Sequence, residues 1–136
     1  MKRLWIIVMA IVIGTLCSCS ATTTEPIHYT DFDHLDHWDQ LNDLTDDRTL
    51  LFYYSPHCAI CKSIESEVAP LLFDLKSRGI VVFLINEGMI YQQGTPPLEL
   101  IEVPSILIYQ GQTYLDIVSG SKPVLEFLDS EMAAER

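Results

Sequence analysis

The sequence predicts an α/β fold of three layers, a central mixed β-sheet with helices on both faces. Leu50 to Tyr54, within a strand read over Thr49 to Tyr54, and Ile80 to Ile85 are uninterrupted apolar runs of the length expected for buried strands. Between them lies a segment with apolar residues at helical spacing, and a hairpin pattern followed by a last helix closes the chain.

The elements follow in order. Phe32, Leu35, Trp38, Leu41 and Leu44 recur every third residue among polar positions, which predicts a first helix with an apolar stripe. Thr49 to Tyr54 is read as a strand. Cys58 to about Ser77 is read as a helix with Ile60, Ile64, Val68, Leu71, Leu72 and Leu75 inward, ended by Gly79. Ile80 to Ile85, bounded by Gly79 and by Asn86-Glu87-Gly88, is expected to be a central strand. Met89 to Val103 contains Gly94, Pro96 and Pro97 and is read as a weak helix plus loop. Ser105 to Tyr109 and Thr113 to Val118 flank Gln110-Gly111-Gln112 as a hairpin. Ser121 and Pro123 open a final helix with Val124, Leu125, Phe127 and Leu128 inward. No internal repeat is evident.

The front of the chain reads as an export signal. Lys2 and Arg3 precede a stretch dominated by apolar residues from Leu4 to Leu16, too short for a membrane-spanning helix of ~20 residues. Leu16-Cys17-Ser18-Cys19 resembles the bacterial lipoprotein signal, with Cys19 as the lipidated residue; simple cleavage nearby and an uncleaved anchor are the alternatives. The expected organisation is therefore a signal over 1–18, a Thr-rich tether over 19–31 and one domain over 32–136.

Charge excludes some partners. The chain carries 8 basic and 19 acidic residues, and loss of Lys2 and Arg3 with the signal would leave 6 against 19, a formal charge of −13. Phosphate backbones reward a basic face, so nucleic acid is not an expected partner. Anionic lipid would repel such a domain, which leaves the lipid tether to hold it at a membrane.

With Cys19 assigned to a lipid and Cys17 removed, only Cys58 and Cys61 remain, two residues apart and too close to scaffold a domain. The sequence Ser55-Pro56-His57-Cys58-Ala59-Ile60-Cys61-Lys62 passes from a strand into a helix, so Cys58 meets the free N–H groups and positive dipole end of that helix. A helix N-terminus favours the thiolate, the form that attacks disulfides. Cys58 is therefore the expected nucleophile. Cys61, one turn inward, is the expected resolving thiol. His57, if protonated, adds positive charge beside Cys58; the plainer reading is a solvent-facing residue. Ala59 and Ile60 bring no charge between the cysteines.

Over roughly Phe32 to Met132 the chain resembles the thioredoxin family. The resemblance is carried by the strand running into Cys58-Ala59-Ile60-Cys61-Lys62, by Val103-Pro104-Ser105 before an apolar strand, and by Gly120 before the last helix. It implies the thioredoxin-like three-layer sandwich and thiol-disulfide oxidoreductase activity, with Cys58 and Cys61 in the roles above. It further implies that Pro104 is a cis-proline against the cysteine pair, with Val103 and Ser105 lining the same substrate groove. No cofactor is implied, because the electrons reside in the two thiols. Combined with the export signal, the expected partners are extracytoplasmic proteins with thiols or disulfides and a membrane or soluble redox partner, with the protein itself a monomer in the cell envelope, acting as reductase or electron relay.

Several positions depart from the family. Cytoplasmic thioredoxins have a buried aspartate six residues before the first cysteine, where this chain has Phe52, and a lysine on the next strand, where it has only Ile80 to Ile85. Proton transfer at Cys61 then has to use water, backbone or another group. The proline usual five residues after the second cysteine is Ser66, and Pro70 lies a turn later.

Other functions compete. A copper or zinc metallochaperone would use Cys58, Cys61 and His57 as ligands. A binding module would keep the pair idle. Residues 25 to 47 hold 8 carboxylates and His28, His34 and His37, with no basic residue. His34 and His37 on one helix face with Asp33 or Asp36 would suit a metal; a solubilising face is the plainer reading.

Overall fold

The computed structural model describes residues 25–45, 47–90 and 102–134, with Met89 and Ile90 placed by backbone alone. The signal, Cys19 and most of the tether lie outside these residues, as does most of the loop expected between Met89 and Val103. The described chain forms β1 (Arg48–Tyr54), α1 (Ala59–Ser77), β2 (Val81–Asn86), α2 (Glu87–Ile90), β3 (Ser105–Gln110), β4 (Thr113–Ser119) and α3 (Ser121–Ala134).

The sheet runs in the order β2-β1-β3-β4. β1 is parallel to β2, whereas the β1–β3 and β3–β4 pairs are antiparallel, so the sheet is mixed as expected. Side chains alternate cleanly across it. Leu50, Phe52, Tyr54, Val82, Leu84, Ile106 and Ile108 join a core with Val68, Leu72 and Leu75 of α1 and Val124 and Leu128 of α3. Leu51, Tyr53, Ile85, Leu107 and Tyr109 form a second core on the other face with Leu35 and Trp38. Burial on both faces explains why β1 and β3 read as continuous apolar runs.

The expected first helix is absent. Tyr29–Asp31 and Trp38–Asp43 are short 3-10 helices, joined by extended chain. The spacing of three in the sequence is the 3-10 period rather than the α period of 3.6. The stripe is also divided, since Phe32 packs into the α1 core and Leu35 and Trp38 into the opposite one. The segment wraps the edge of β2: Leu35 N–H donates to the Leu84 carbonyl and Leu84 N–H to the Asp33 carbonyl, each at 2.9 Å. β2 therefore lies at the edge of the described sheet rather than at its centre, and this bridge covers part of its open backbone. Tyr29, within the segment read as tether, is buried in the α1 core, so packed chain begins before residue 32.

α1 begins and ends on identifiable devices. Cys58 is its N-cap, and at the other end Gly79 takes φ +95°. Ile80 N–H then reaches the Leu75 carbonyl and Gly79 N–H the Lys76 carbonyl, the paired bonds of a Schellman turn. Ile64, Val68, Leu72 and Leu75 face inward as expected, but Ile60 is 54% exposed because the first turn projects beyond the sheet. The helix continues through Pro70, which sits on its exposed face. Val124 and Leu128 of α3 are buried, with Leu125 and Phe127 at the margin.

Leu72, without solvent exposure between α1 and the sheet, is the sensitive core position. Leu72→Ala should lower unfolding free energy by about 2–5 kcal/mol in urea titration, while Phe73→Ala, on the exposed face, should cost about 0.5 kcal/mol or less.

Candidate functional site

The register of β1 places the site. Its last residue, Tyr54, leads into Ser55 and Pro56 and then the first turn of α1, so the loop from strand to helix delivers both cysteines to one end of the sheet. Cys58 N–H donates to the Ser55 carbonyl at 3.1 Å, and Lys62 N–H to the Cys58 carbonyl at 3.2 Å. The N-cap geometry turns the Cys58 side chain back over the helix end, where its Sγ accepts from Cys61 N–H at 3.2 Å. Sulfur here fills the place that a serine or aspartate oxygen takes at an ordinary cap. A thiolate accepts that bond more strongly than a thiol does, as charged acceptors do generally.

The two cysteines differ in access. Both are free thiols; Cys58 is partly exposed and Cys61 fully buried. Burial, with the Cys58 hydrogen bond adding to it, pushes the Cys61 thiol up to about 12, and backbone hydrogen bonds from Ser55 and Cys61 itself only partly offset this. The outer sulfur is open to solvent and the inner one is held as a neutral thiol.

Antiparallel pairing sets Tyr53 opposite Ser105, so the Val103-Pro104 step lies beside the end of β1 that runs on to the cysteines. The Val103-Pro104 peptide is cis. The Pro104 carbonyl accepts from Gly120 N–H at 2.9 Å, and Gly120 takes φ +95°, a conformation that favours glycine. Val103 is half-buried against both cores. Ser105 is fully buried, its hydroxyl donating to the Glu102 carbonyl and lying 2.9 Å from Ser119 Oγ. It braces the step from beneath instead of facing a groove. Ala59 and Ile60 are exposed beside Cys58, and so is His57, whose backbone N–H bonds Ser55 Oγ at 3.3 Å.

Behind Cys61 stands a group of polar residues that includes Tyr29 and Glu65, which the sequence reading did not single out. Tyr29 O–H donates to the Cys61 carbonyl at 3.1 Å, and Tyr29 N–H donates to Glu65 Oε1 at 2.9 Å. His28 Nδ1 lies 3.5 Å from the same oxygen. Phe52, standing where cytoplasmic thioredoxins have aspartate, packs on the rings of Tyr29 and Tyr54 at centroid distances of 5.1 and 6.1 Å. The Tyr54 hydroxyl bonds His34 Nε2 at 2.9 Å, while His34 Nδ1 bonds the Phe32 carbonyl. His34 is thus held by the fold. Among the described residues no group of three or more His, Cys, Asp or Glu side chains could hold a metal ion, so neither His34 with His37 nor His57 with the cysteines forms such a set. One signal was readable: Glu65 follows Cys61 by four residues, on the same helix face. Nothing in the sequence marked Tyr29, which lay in the presumed tether.

No family model matches the chain, and neither does any curated protein. Solved structures do. The oxidised mitochondrial thioredoxin 3 of Saccharomyces cerevisiae superposes with a TM-score of 0.64 at 13% identity, covering 78% of this chain and 97% of that one. The thioredoxin of Trypanosoma brucei brucei gives 0.62 at 15% identity, with 78% and 94% covered, and that of Fasciola hepatica 0.59 at 11%, with 76% and 99% covered. The chain has the thioredoxin fold. In this fold the cysteine pair sits at the start of α1 and the cis-proline directly before β3, the strand that pairs with β1.

Burial of Cys61 carries a stability consequence. Its folded value of about 12 lies above the ordinary 9.0, so the folded state keeps a proton that the unfolded chain loses between those values. Stability should therefore fall as pH rises from 9 toward 12. The raised Tyr29 and Tyr54 hydroxyls act in the same sense, so the comparison is with Cys61→Ala. Urea unfolding at about pH 8 and about pH 10 should show a larger loss for the unchanged chain than for the variant.

Proposed function

We propose that this protein is an exported thiol-disulfide oxidoreductase, held at a bacterial membrane by a lipid on Cys19, that exchanges disulfides with other extracytoplasmic proteins as a reductase or electron relay. The observation that carries the chemistry is the asymmetric pair at the helix N-terminus, with Cys58 Sγ partly exposed and accepting the Cys61 N–H while Cys61 is buried. The leader and the Leu16-Cys17-Ser18-Cys19 pattern support the location.

In the reductive direction the Cys58 thiolate attacks one sulfur of a substrate disulfide. A Cys58–substrate bond forms and the other substrate sulfur leaves as a thiolate. Cys61 then gives up its proton and attacks Cys58 Sγ, forming the Cys58–Cys61 disulfide and releasing the second substrate sulfur. Two electrons pass from the pair to the substrate, and a redox partner must return them. The acidic surface favours basic or neutral clients.

Cys61→Ala removes the second step and should accumulate clients linked to Cys58 through mixed disulfides, in the envelope fraction. Trapping with acid and an alkylating agent, followed by non-reducing electrophoresis, should show these adducts vanish in Cys58→Ala/Cys61→Ala, and Cys19→Ala should release the protein from the membrane. Clients retained equally by chains with and without Cys58 would instead make the protein a binding module.

A further inference from the structure

The reaction leaves one proton without an acceptor. Cys61 must become a thiolate to attack Cys58, yet it has no solvent exposure, and Phe52 brings no carboxylate beneath it. A crevice of about 260 Å³ opens against Cys61, lined also by Tyr29, Tyr54, Glu65 and Asn86. A water molecule occupies about 30 Å³, so the crevice has room for several; its lining is mainly apolar, and Glu65, Asn86 and the Tyr54 hydroxyl are polar groups there that can hold them.

Glu65 is the carboxylate in that wall. Its Oε1 is fixed by Tyr29 N–H at 2.9 Å with His28 Nδ1 at 3.5 Å, and its side chain is 28% exposed. The Tyr29 ring spans the gap, since its hydroxyl sits on the Cys61 carbonyl. Burial first, and then the charges of Glu65 and Cys61, raise the Tyr29 hydroxyl, and burial with Glu65 raises that of Tyr54. Glu65 thus lines the same crevice as both tyrosines. The other ionisable groups around it are His28 from the N-terminal segment and Cys61 and Lys62 from its own helix, with Asn86 as the polar contribution of β2. No hydrogen bond joins Glu65 directly to Cys61 Sγ among the described residues.

We propose that Glu65 is the proton acceptor for Cys61, reached by water that enters toward the thiol from the crevice both residues line. This rests on the disulfide-exchange reading. The proton leaves Cys61 Sγ, crosses the water and settles on the Glu65 carboxylate. Cys61 forms its bond to Cys58, and the substrate sulfur departs as a thiolate that is protonated from solvent. In the oxidative direction Glu65 returns the proton as Cys61 is released.

The test uses the full chain in detergent with dithiobis-nitrobenzoate in equal amount, whose coloured thiolate is released twice: once when Cys58 attacks and once when Cys61 resolves the adduct. Cys58→Ala serves as the blank. Glu65→Gln keeps an oxygen for Tyr29 N–H, so it removes the acceptor while sparing the local structure. The first phase should be unchanged and the second at least about tenfold slower. The second-phase rate should rise about tenfold per pH unit in Glu65→Gln, whereas in the unchanged chain it should depend less steeply on pH. Glu65→Asp should recover part of the rate. A second phase in Glu65→Gln with the rate and pH profile of the unchanged chain would overturn the proposal. So would a Glu65→Asp protein as slow as Glu65→Gln, which decides the matter if the glutamine variant folds poorly. Absence of the first phase from the unchanged chain would remove the disulfide-exchange reading itself, and this proposal with it.

Discussion

The chemistry of this protein depends on how the first turn of α1 is seated. Cys58 caps the helix with its own sulfur, and the N–H it accepts belongs to Cys61, the other member of the pair. One hydrogen bond thus ends the helix, orients the outer thiol toward solvent and fixes the spacing to the inner one. The seat is provided by β1, which is buried on both faces and flanked by a strand on each side. The same sheet end receives the Val103-Pro104 step through the pairing of Tyr53 with Ser105.

The N-terminal segment supports the site in a way that its sequence conceals. It crosses the edge of β2 by a single bridge, sends Leu35 and Trp38 to one face, and turns Phe32 and Tyr29 to the other. Tyr29 thereby covers Cys61 and offers its N–H to Glu65. A pair of exposed ions, Lys76 Nζ and Asp33 Oδ2 at 2.8 Å, joins the segment to the end of α1, though exposed pairs contribute little. The main adhesion is aromatic packing among Tyr29, Phe52 and Tyr54. Phe52 supplies part of that packing from β1, and the carboxylate near Cys61 comes from α1, as Glu65.

Much of this was legible in the chain. The strands and α1 announce themselves because burial on two faces produces long apolar runs and burial on one produces a stripe. The position of Cys58 and Cys61 at the step from strand to helix, and of Pro104 before β3, was legible because their spacing and context are specific. The first segment was misread since a repeat of three mimics half of a helical pattern, and only the two-sided core reveals that its residues point opposite ways. Ile60 was misread because it belongs to a turn that projects past the sheet. β2 looked central because apolar composition records burial of the faces and says nothing about whether both edges are paired. Tyr29 and Tyr54 carry no local motif, and His34 was paired with His37 by spacing; their actual meeting point is set by tertiary packing between segments far apart in sequence.

The most direct test is the redox equilibrium of the Cys58–Cys61 pair against defined glutathione or dithiothreitol buffers, read by thiol trapping. The pair should interconvert reversibly as a two-electron couple, with a potential near or below about −230 mV for a reductase or relay. A reversible couple near about −120 mV would reverse the direction and make the protein a donor of disulfides. A pair that fails to interconvert in any buffer would contradict disulfide exchange as its function.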